Sequence, residues 1–189
     1  MNDLINRFAQ EGSFPLDKDI AARILSVSED VTINAREDLI SYGSVDTNIY
    51  IVAEGILRLW HFDGNKEITI GFTDIGTVLM SLMGYFNSSP AYICITACTK
   101  ARLKKIPKTT FDKIIRESHE FSTWIYSVAI HQLFALERKL SLINGTAKEK
   151  YISLIKNRPD IIRNVPGKII ASYLGITPFY LCKLKRELL

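Results

Sequence analysis

The residues best suited to chemistry lie near the end of the chain, where aromatic and cationic side chains alternate with leucines. Phe179, Tyr180, Lys183 and Arg186 fall within one short stretch. Lysine and arginine pair with phosphate oxygens and donate hydrogen bonds to guanine O6 and N7, while a phenylalanine ring packs on a thymine methyl group. These side-chain types suit contact with duplex DNA, provided that one face of a helix presents them together.

Two short helices joined by a tight turn are predicted to position these side chains. Pro166 suits the first turn of one helix, and Gly175 supplies the positive φ that a sharp turn requires. Thr177 can cap the second helix, with Pro178 at its first position. The small side chain of Ala171 allows the helices to cross closely. The pattern predicts a helix-turn-helix, whose second helix enters the major groove of DNA; an ordinary helical hairpin that binds nothing is the alternative.

The spacing of leucines and the distribution of charge support this interpretation. Leu181, Leu184 and Leu188 recur every three to four residues and predict the buried face of the second helix. Residues 146–189 carry nine of the 24 Lys and Arg residues but only three of the 20 Asp and Glu residues. Positive charge on the helical segment is expected of a phosphate-binding unit, although a solvated basic face explains the same distribution.

The composition of the 189-residue chain is that of a globular protein with one or two domains. No apolar run approaches the roughly 18 residues of a membrane span, and the first residues are too polar for a signal peptide. The three cysteines, Cys94, Cys98 and Cys182, form no obvious disulfide framework, which fits a reducing compartment. We therefore expect a cytoplasmic protein without a membrane partner.

The segment between Val31 and Ile106 has the character of an antiparallel barrel, preceded by helices over residues 1–10 and 17–26. Short β-rich runs alternate with glycine turns, and the sequence Asp63-Gly64-Asn65 is typical of a hairpin. About eight strands at this spacing predict a double-sheet jelly roll, so the expected fold class is α+β. The predicted strands are Val31–Ala35, Asp38–Tyr42, Ile49–Ala53, Gly55–Phe62, Ile68–Phe72, Thr77–Leu79, Ile93–Cys98 and Ala101–Ile106.

A long helix is predicted near residues 119–143. Its apolar positions recur every three to four residues over about three heptads, which indicates a homodimer seam; a helix lying on its own barrel is the alternative. Asn144, Gly145 and Thr146 can end this helix and cap the next. They divide a sensor barrel with its dimerisation helix (1–144) from a helix-turn-helix domain (145–189). The seam residues are Phe121, Ile125, Val128, Gln132, Leu136, Lys139 and Ile143.

The order of barrel, long helix and terminal helix-turn-helix resembles that of the Crp/Fnr family of bacterial transcription regulators, over nearly the whole chain. The segment from Asp38 to Leu59 resembles the early strands of the family. Asp63-Gly-Asn-Lys-Glu-Ile-Thr-Ile70 resembles its hairpin, and Ile170-Ala-Ser-Tyr-Leu-Gly-Ile-Thr-Pro178 its helix-turn-helix. The resemblance implies a dimeric regulator that binds double-stranded DNA, with RNA polymerase as a further partner.

The resemblance also assigns residues to DNA. It places base recognition on Thr177, Pro178, Phe179, Tyr180 and Lys183, early in the second helix. Family members commonly carry a Glu and an Arg at the positions of Phe179 and Lys183, so the preferred half-site is expected to differ here. Contacts to phosphates, which position the protein without specifying sequence, are assigned to Tyr180, Lys168, Lys185 and Arg186.

The cyclic-nucleotide cassette of the family is not matched. Nucleotide-binding members carry a Glu and an Arg near the positions of Leu82 and Ala91, and no Arg or Lys lies between Lys66 and Lys100. A buried phosphate needs a cation or several N–H donors, so cyclic AMP is not expected to bind. An unknown apolar effector and simple filling of the core are the two interpretations of Leu79, Leu82, Met83, Tyr85, Phe86, Ala91 and Tyr92.

No metal, cofactor or catalytic site is predicted. An iron–sulfur cluster needs four cysteine ligands, and the three histidines are too scattered for a metal site or a cupin-like enzyme. Cys94 and Cys98 fit small buried side chains better than a redox pair. We therefore expect no enzyme activity. The alternative function is a degenerate regulator, in which the barrel dimerises and exposed Phe179 and Tyr180 bind a protein partner.

Overall fold

The computed structural model describes residues 2–142 and 146–188, and this part of the chain contains eight strands and nine helices. Within it, none of the helices combines the length and the apolar character needed to cross a bilayer. The strands are β1 (Glu29–Ile33), β2 (Asp38–Ile40), β3 (Ile49–Glu54), β4 (Leu57–Asp63), β5 (Lys66–Phe72), β6 (Val78–Met80), β7 (Cys94–Ala97) and β8 (Ala101–Ile106). The helices are α1 (Asn2–Ala9), α2 (Lys18–Ser26), α3 (Leu82–Asn87), α4 (Lys108–Glu117), α5 (His119–Leu142), α6 (Ala147–Asn157), α7 (Pro159–Asn164), α8 (Gly167–Leu174) and α9 (Pro178–Leu188).

The strands form two four-stranded antiparallel sheets, ordered β1-β8-β3-β6 and β2-β7-β4-β5. All eight predicted strands are confirmed, with bounds that differ by a few residues. Gly64, at φ +57°, lies in the turn of the β4–β5 hairpin, in which Asp63 pairs with Lys66. Alternate side chains of each sheet face the space between them. This inter-sheet core comprises Ile33, Ile40, Tyr50, Val52, Leu57, Leu79, Ala91, Ile95, Ala97, Ala101 and Leu103.

A second core lies outside the barrel, where α1, α2, α4 and α5 cover the β1-β8-β3-β6 sheet. Ile49 and Ile51 of β3 point into this core, so that β3 is apolar on both faces. The ring of Trp124 in α5 lies 5.0 Å from that of Phe8 and 5.6 Å from that of Phe121. The first half of α5 is therefore anchored to the barrel of its own chain by large buried rings.

A third apolar core joins helices α6–α9 to the barrel. Tyr151 of α6 and Ile170 of α8 are completely buried in it. Three barrel side chains belong to the same cluster, namely Ile56 and the partly buried Phe72 and Cys98. The C-terminal helices and the barrel thus share packed side chains.

The start of α6 has the cap that the sequence predicts at Thr146. The hydroxyl of Thr146 accepts a hydrogen bond from the N–H of Glu149 at 3.2 Å, and the carboxylate of Glu149 accepts one from the N–H of Thr146 at 2.8 Å. This reciprocal capping box satisfies two N–H groups that a helix start leaves without partners. Asn144 and Gly145, the other predicted boundary residues, lie outside the described residues.

Candidate nucleic-acid interface

The α8–α9 pair has the turn geometry that its sequence predicts. Gly175 ends α8 in the left-handed region, at φ +71°, which a side chain with a Cβ adopts only under strain. The hydroxyl of Thr177 then accepts a hydrogen bond from the N–H of Tyr180 at 3.1 Å and caps α9. Pro178 is the first residue of α9, where its missing N–H has no helical partner to lose.

The crossing of α8 and α9 depends on small side chains. Ala171 of α8 is completely buried, and Leu181 and Leu184 of α9 are only 2% and 1% exposed. A Cβ on Gly167 would lie 3.8 Å from Cδ2 of Leu181, an ordinary van der Waals distance, so the start of α8 lies beside the leucine face of α9. The predicted buried face of α9 is confirmed, and these leucines fix the rotation of α9 about its axis.

The opposite face of α9 is open to solvent. Phe179 is 84% exposed, the highest fraction among the large apolar side chains that the structure describes. The side chain of Lys183 is 64% exposed, and its ammonium group lies 4.0 Å from the carboxylate of Glu187. An exposed ion pair at this spacing contributes roughly 0.3–0.5 kcal/mol. The pair with Glu187 is therefore weak enough for Lys183 to leave it and bind another anion or acceptor.

The residues assigned to DNA from the sequence are accessible, apart from half-buried Lys185. The residues predicted to contact bases are Thr177, which precedes α9, and residues in the N-terminal half of α9, whereas those predicted to contact phosphates lie mainly early in α8 and in the last turn of α9. The accessible residues are Thr177, Pro178, Phe179, Tyr180, Lys183, Lys168 and Arg186.

Helix α8 is attached to the edge strand β5, a feature that the sequence analysis missed. The hydroxyl of Ser172 bonds both an N–H and a carbonyl group of β5. The ring of Tyr173 lies 5.2 Å from that of Phe72. Arg158, which precedes α7, adds a separate contact, because its Nη2 donates to the carbonyl oxygen of Thr73, the residue after β5, at 2.9 Å. These partners are 85 or more positions apart along the chain, and no local pattern signals such pairs.

The predicted dimer seam is wrong in the first half of α5. Phe121 and Val128 are 0% and 2% exposed, and Ile125 packs on the same cluster. Their apolar spacing reflects contact with the barrel of the same chain, which was the alternative interpretation of this helix. The side chain of Lys139 and all of Ile143 lie outside the part of the molecule that the structure describes.

A different apolar face is open to solvent further along α5. Tyr126, Leu133, Phe134 and Leu136 are 67%, 57%, 56% and 53% exposed. Gln132, another predicted seam residue, is exposed, and its amide donates to the carbonyl oxygen of Val78 at 3.4 Å. The open apolar face is therefore displaced by about one residue from the predicted seam, and only Leu136 belongs to both.

The residues predicted to line an effector pocket do not converge on one cavity. Helix α3 is the physical reason, because residues four apart share a helix face. Leu82 and Phe86 lie on its outer face, 65% and 70% exposed, while Tyr85 is buried in the second core. Of the others, Leu79 and Ala91 lie in the inter-sheet core, Met83 is half-buried and Tyr92 is exposed.

Helix α3 is held against the connection between β2 and β3. Ser81 caps the helix, its hydroxyl accepting from the N–H of Gly84 at 3.1 Å. A Cβ on Gly84 would overlap the carbonyl oxygen of Asp46. The carboxylate of Asp46 in turn accepts a hydrogen bond from the buried hydroxyl of Tyr50 at 2.8 Å, and burial together with this carboxylate raises the pKa of Tyr50. The charged group at this contact of α3 is therefore an anion.

Glu11, in the loop between α1 and α2, titrates near neutrality. Burial raises the pKa of Glu11 to about 7, and nearby Asp74 adds to this effect, whereas His131 and a hydrogen bond from the N–H of Val78 oppose it. Nδ1 of His131 lies 3.1 Å from the carbonyl oxygen of Glu11. This carboxyl group therefore lies where the first loop, β6 and α5 meet.

The three cysteines are free thiols in different surroundings. Cys94 is buried, Cys98 is half-buried and Cys182 is exposed on α9. Burial raises the pKa of Cys98 to about 11, so its thiol stays protonated near neutral pH and is a poor nucleophile. Among the described residues, no group of three or more His, Cys, Asp and Glu side chains is arranged to hold a metal ion.

Solved structures of similar fold include several bacterial regulators. The c-di-GMP-responsive global regulator CLP of Xanthomonas campestris superposes with a TM-score of 0.73 at 15% identity, over 91% of each chain. FixK2 of Bradyrhizobium japonicum gives 0.72 at 14% identity, over 86% of this chain and 84% of FixK2. A CooA variant from Carboxydothermus hydrogenoformans gives 0.69 at 16% identity, over 87% and 78%. No family model and no curated protein sequence matches the chain.

These similarities define the class of fold. Two antiparallel sheets with flanking helices, followed by a long helix and a C-terminal group of helices, form the α+β architecture of Crp/Fnr-type regulators. The resemblance predicted from the sequence is thereby confirmed for the fold.

Proposed function

We propose that the protein is a dimeric, DNA-binding transcription regulator, in which α8 and α9 form a helix-turn-helix and α9 enters the major groove. The observation that carries this proposal is the two-sided character of α9. Leu181 and Leu184 fix one face against α8, while Phe179 and Lys183 project from the other. The solved regulators of similar fold support the same function, which makes RNA polymerase its expected partner at a promoter.

The exposed residues of α9 have distinct roles in this proposal. Phe179 and Lys183 are four residues apart and so share one helix face. Phe179 packs on a thymine methyl, and Lys183 donates to guanine O6 or N7 as a point charge. Lys168 and Arg186 bind phosphates on either side of the groove, which fixes the register of the protein without reading sequence.

Selection from random duplex DNA at two salt concentrations tests the DNA-binding function. A two-fold symmetric motif, with half-sites about one helical turn apart, is expected from wild-type protein. Lys183→Ala is expected to relax specificity at one position of each half-site and to lower affinity by about 1–3 kcal/mol per contact. Lys18→Ala removes an exposed lysine at the start of α2 and serves as the matched control. Equal effects of the two substitutions would contradict the assignment of Lys183.

We place the dimer interface on the second half of α5. Tyr126 and Leu133 are seven residues apart, with half-buried Ile130 between them, which is the spacing of a coiled-coil seam. Charged substitutions at these positions bury an unpaired charge in the dimer and are expected to dissociate it. Leu133→Asp is expected to sediment as a monomer, whereas Val27→Asp, at an apolar position 51% exposed at the end of α2, is expected to remain dimeric. If Leu133→Asp remained dimeric, the interface would lie elsewhere on the chain.

We further propose that the barrel does not respond to cyclic AMP. The position expected to hold a ribose-binding Glu is occupied by exposed Leu82, and buried Ala91 stands near that of the phosphate-binding Arg. Tyr50 fills part of the interior and is bonded to Asp46, whose negative charge repels a phosphate. Addition of millimolar cyclic AMP is expected to leave the unfolding temperature unchanged, since a ligand that binds the folded state raises it. A concentration-dependent rise would refute this part of the proposal.

A protein partner for α9 is the second candidate function, favoured by the exposure of Phe179 and Tyr180 at 84% and 42%. Large exposed aromatic side chains are common anchors of protein interfaces. Salt separates the two functions, because DNA binding weakens steeply with rising salt and an aromatic contact does not. Failure to select a DNA motif, together with partner binding that rising salt does not weaken, would favour the protein partner.

A further inference from the structure

The hydroxyl of Ser172 takes the place of a neighbouring strand at the open edge of β5. Strand β5 is the last in its sheet, so its outward N–H and carbonyl groups have no strand partner. Oγ of Ser172 donates to the carbonyl oxygen of Glu67 at 2.8 Å and accepts from the N–H of Thr69 at 3.0 Å. A single side chain on α8 therefore makes two directional hydrogen bonds to adjacent outward groups of the strand.

One further contact fixes α8 along the same edge, because the rings of Tyr173 and Phe72 lie 5.2 Å apart. From Glu67, which accepts from Ser172, to Phe72 the contacts of α8 span about 17 Å of strand, at roughly 3.3 Å per residue. Contacts spread over this length restrict both the tilt of α8 and its sliding along β5.

The orientation of α8 determines the orientation of α9. The left-handed turn at Gly175 and the close packing of Ala171 with the leucine face of α9 join the two helices. The reading face of α9, marked by Phe179, stays in solvent while α8 is attached. Attachment of α8 to the barrel therefore orients this face and does not cover it.

We propose that Ser172 is a positioning residue for DNA recognition. By holding α8 at one register on β5, it sets the angle of α9 to the barrel, and hence the distance between the two reading helices of the dimer. This inference rests on the DNA-binding function and on the dimer proposed above. Half-site spacing follows from that distance, so loss of the Ser172 contact broadens the accepted spacing while base contacts within each half-site remain.

A positioning role and a purely structural role of Ser172 affect different properties of the protein. Side chains that cover the edge of a sheet protect it from pairing with other chains, and Ser172 would do this without influencing DNA. An edge cover affects stability and aggregation only. A positioning residue changes the preference for half-site spacing in protein that is still folded and dimeric.

The test uses three variants of the full chain. Ser172→Ala removes both hydrogen bonds, and Ser172→Thr keeps a hydroxyl group that can restore them. Ser153→Ala is the matched control, because Ser153 is an exposed serine of α6 whose hydroxyl bonds only Asn157 among the described contacts. Each variant is examined by amide hydrogen exchange at Thr69 without DNA, and by selection from duplexes whose two half-sites are separated by systematically varied spacers.

In Ser172→Ala, exchange at Thr69 is expected to be about tenfold faster than in wild type. The preference for one spacing is expected to fall by a similar factor, which is equivalent to about 1.4 kcal/mol, or one to two hydrogen bonds. Ser172→Thr restores both quantities, and Ser153→Ala leaves them unchanged. Each half-site keeps its preferred bases in every variant.

Two results overturn the inference while the DNA-binding function stands. Unchanged exchange at Thr69 in Ser172→Ala would show that the contact does not form, and faster exchange with unchanged spacing preference would leave Ser172 as an edge cover. Failure of wild-type protein to select any motif is a different outcome. It would refute the DNA-binding function itself and, with it, any role of Ser172 in reading DNA.

Discussion

Replacing Glu11 with glutamine is expected to remove a pH dependence of stability. The carboxyl group keeps its proton up to about pH 7 in the folded protein, against an ordinary value of 4.5. The folded state therefore binds this proton more tightly than the unfolded chain between these pH values. The resulting stabilisation is complete below pH 4.5 and is lost as the pH rises through 7. Each pH unit in this window changes the free energy of unfolding by up to about 1.4 kcal/mol, and the whole window by about 3 kcal/mol.

Urea unfolding between pH 5 and pH 8 measures this effect, followed by the fluorescence of buried Trp60 and Trp124 at fixed protein concentration. Glutamine mimics the protonated carboxyl group, so the excess stability of Glu11→Gln over wild type is expected to be small at pH 5 and largest at pH 8. The difference between the two proteins cancels the titration of all other groups. Glu117→Gln, at a side chain 65% exposed, is the control and is expected to follow wild type. A Glu11→Gln curve parallel to that of wild type would refute the reasoning.

Two further predictions follow from packing and exposure. Gly84→Ala is expected to destabilise the protein by about 1–3 kcal/mol, because the added methyl group overlaps a backbone carbonyl. Gly71→Ala is the matched control, since no atom lies within 4 Å of its new Cβ. Equal unfolding temperatures of the two variants would contradict the close packing of α3. A thiol reagent at pH 8 is expected to modify exposed Cys182 first, with Cys94 and Cys98 protected until urea is added. Peptide mass spectrometry identifies the modified site, and early modification of Cys94 would contradict its burial.

The barrel and the α8–α9 turn could be predicted from the sequence because their signals are local. Alternation of apolar residues and glycine turns marks the strands, and Gly175 and Thr177 mark a turn and a cap within a few residues of one another. Such patterns depend on backbone geometry that neighbouring residues determine. The positions of these elements were therefore predictable to within a few residues.

Features that depend on distant partners could not be predicted. Helix α3 carries a glycine in its middle, which disfavours a helix, and the backbone there approaches the carbonyl group of Asp46 so closely that a Cβ would overlap it. The interpretation of the first half of α5 as a dimer seam was wrong because apolar spacing shows which face is buried, and not whether the same chain or a partner buries it. Phe121 and Val128 illustrate this ambiguity, since their heptad spacing is satisfied entirely by the chain's own core.

Both sheets have an outer strand whose backbone is met by side chains from helices or loops. Ser172 covers β5, while Gln132 and Glu11 bond the backbone of β6 at Val78. An uncovered edge strand is a template for pairing with another chain. A fragment that stops before α6 would retain every strand of the barrel and yet expose β5, which is expected to favour edge-to-edge pairing of separate barrels. The C-terminal helices are thus expected to protect this edge as well as to carry the exposed face of α9.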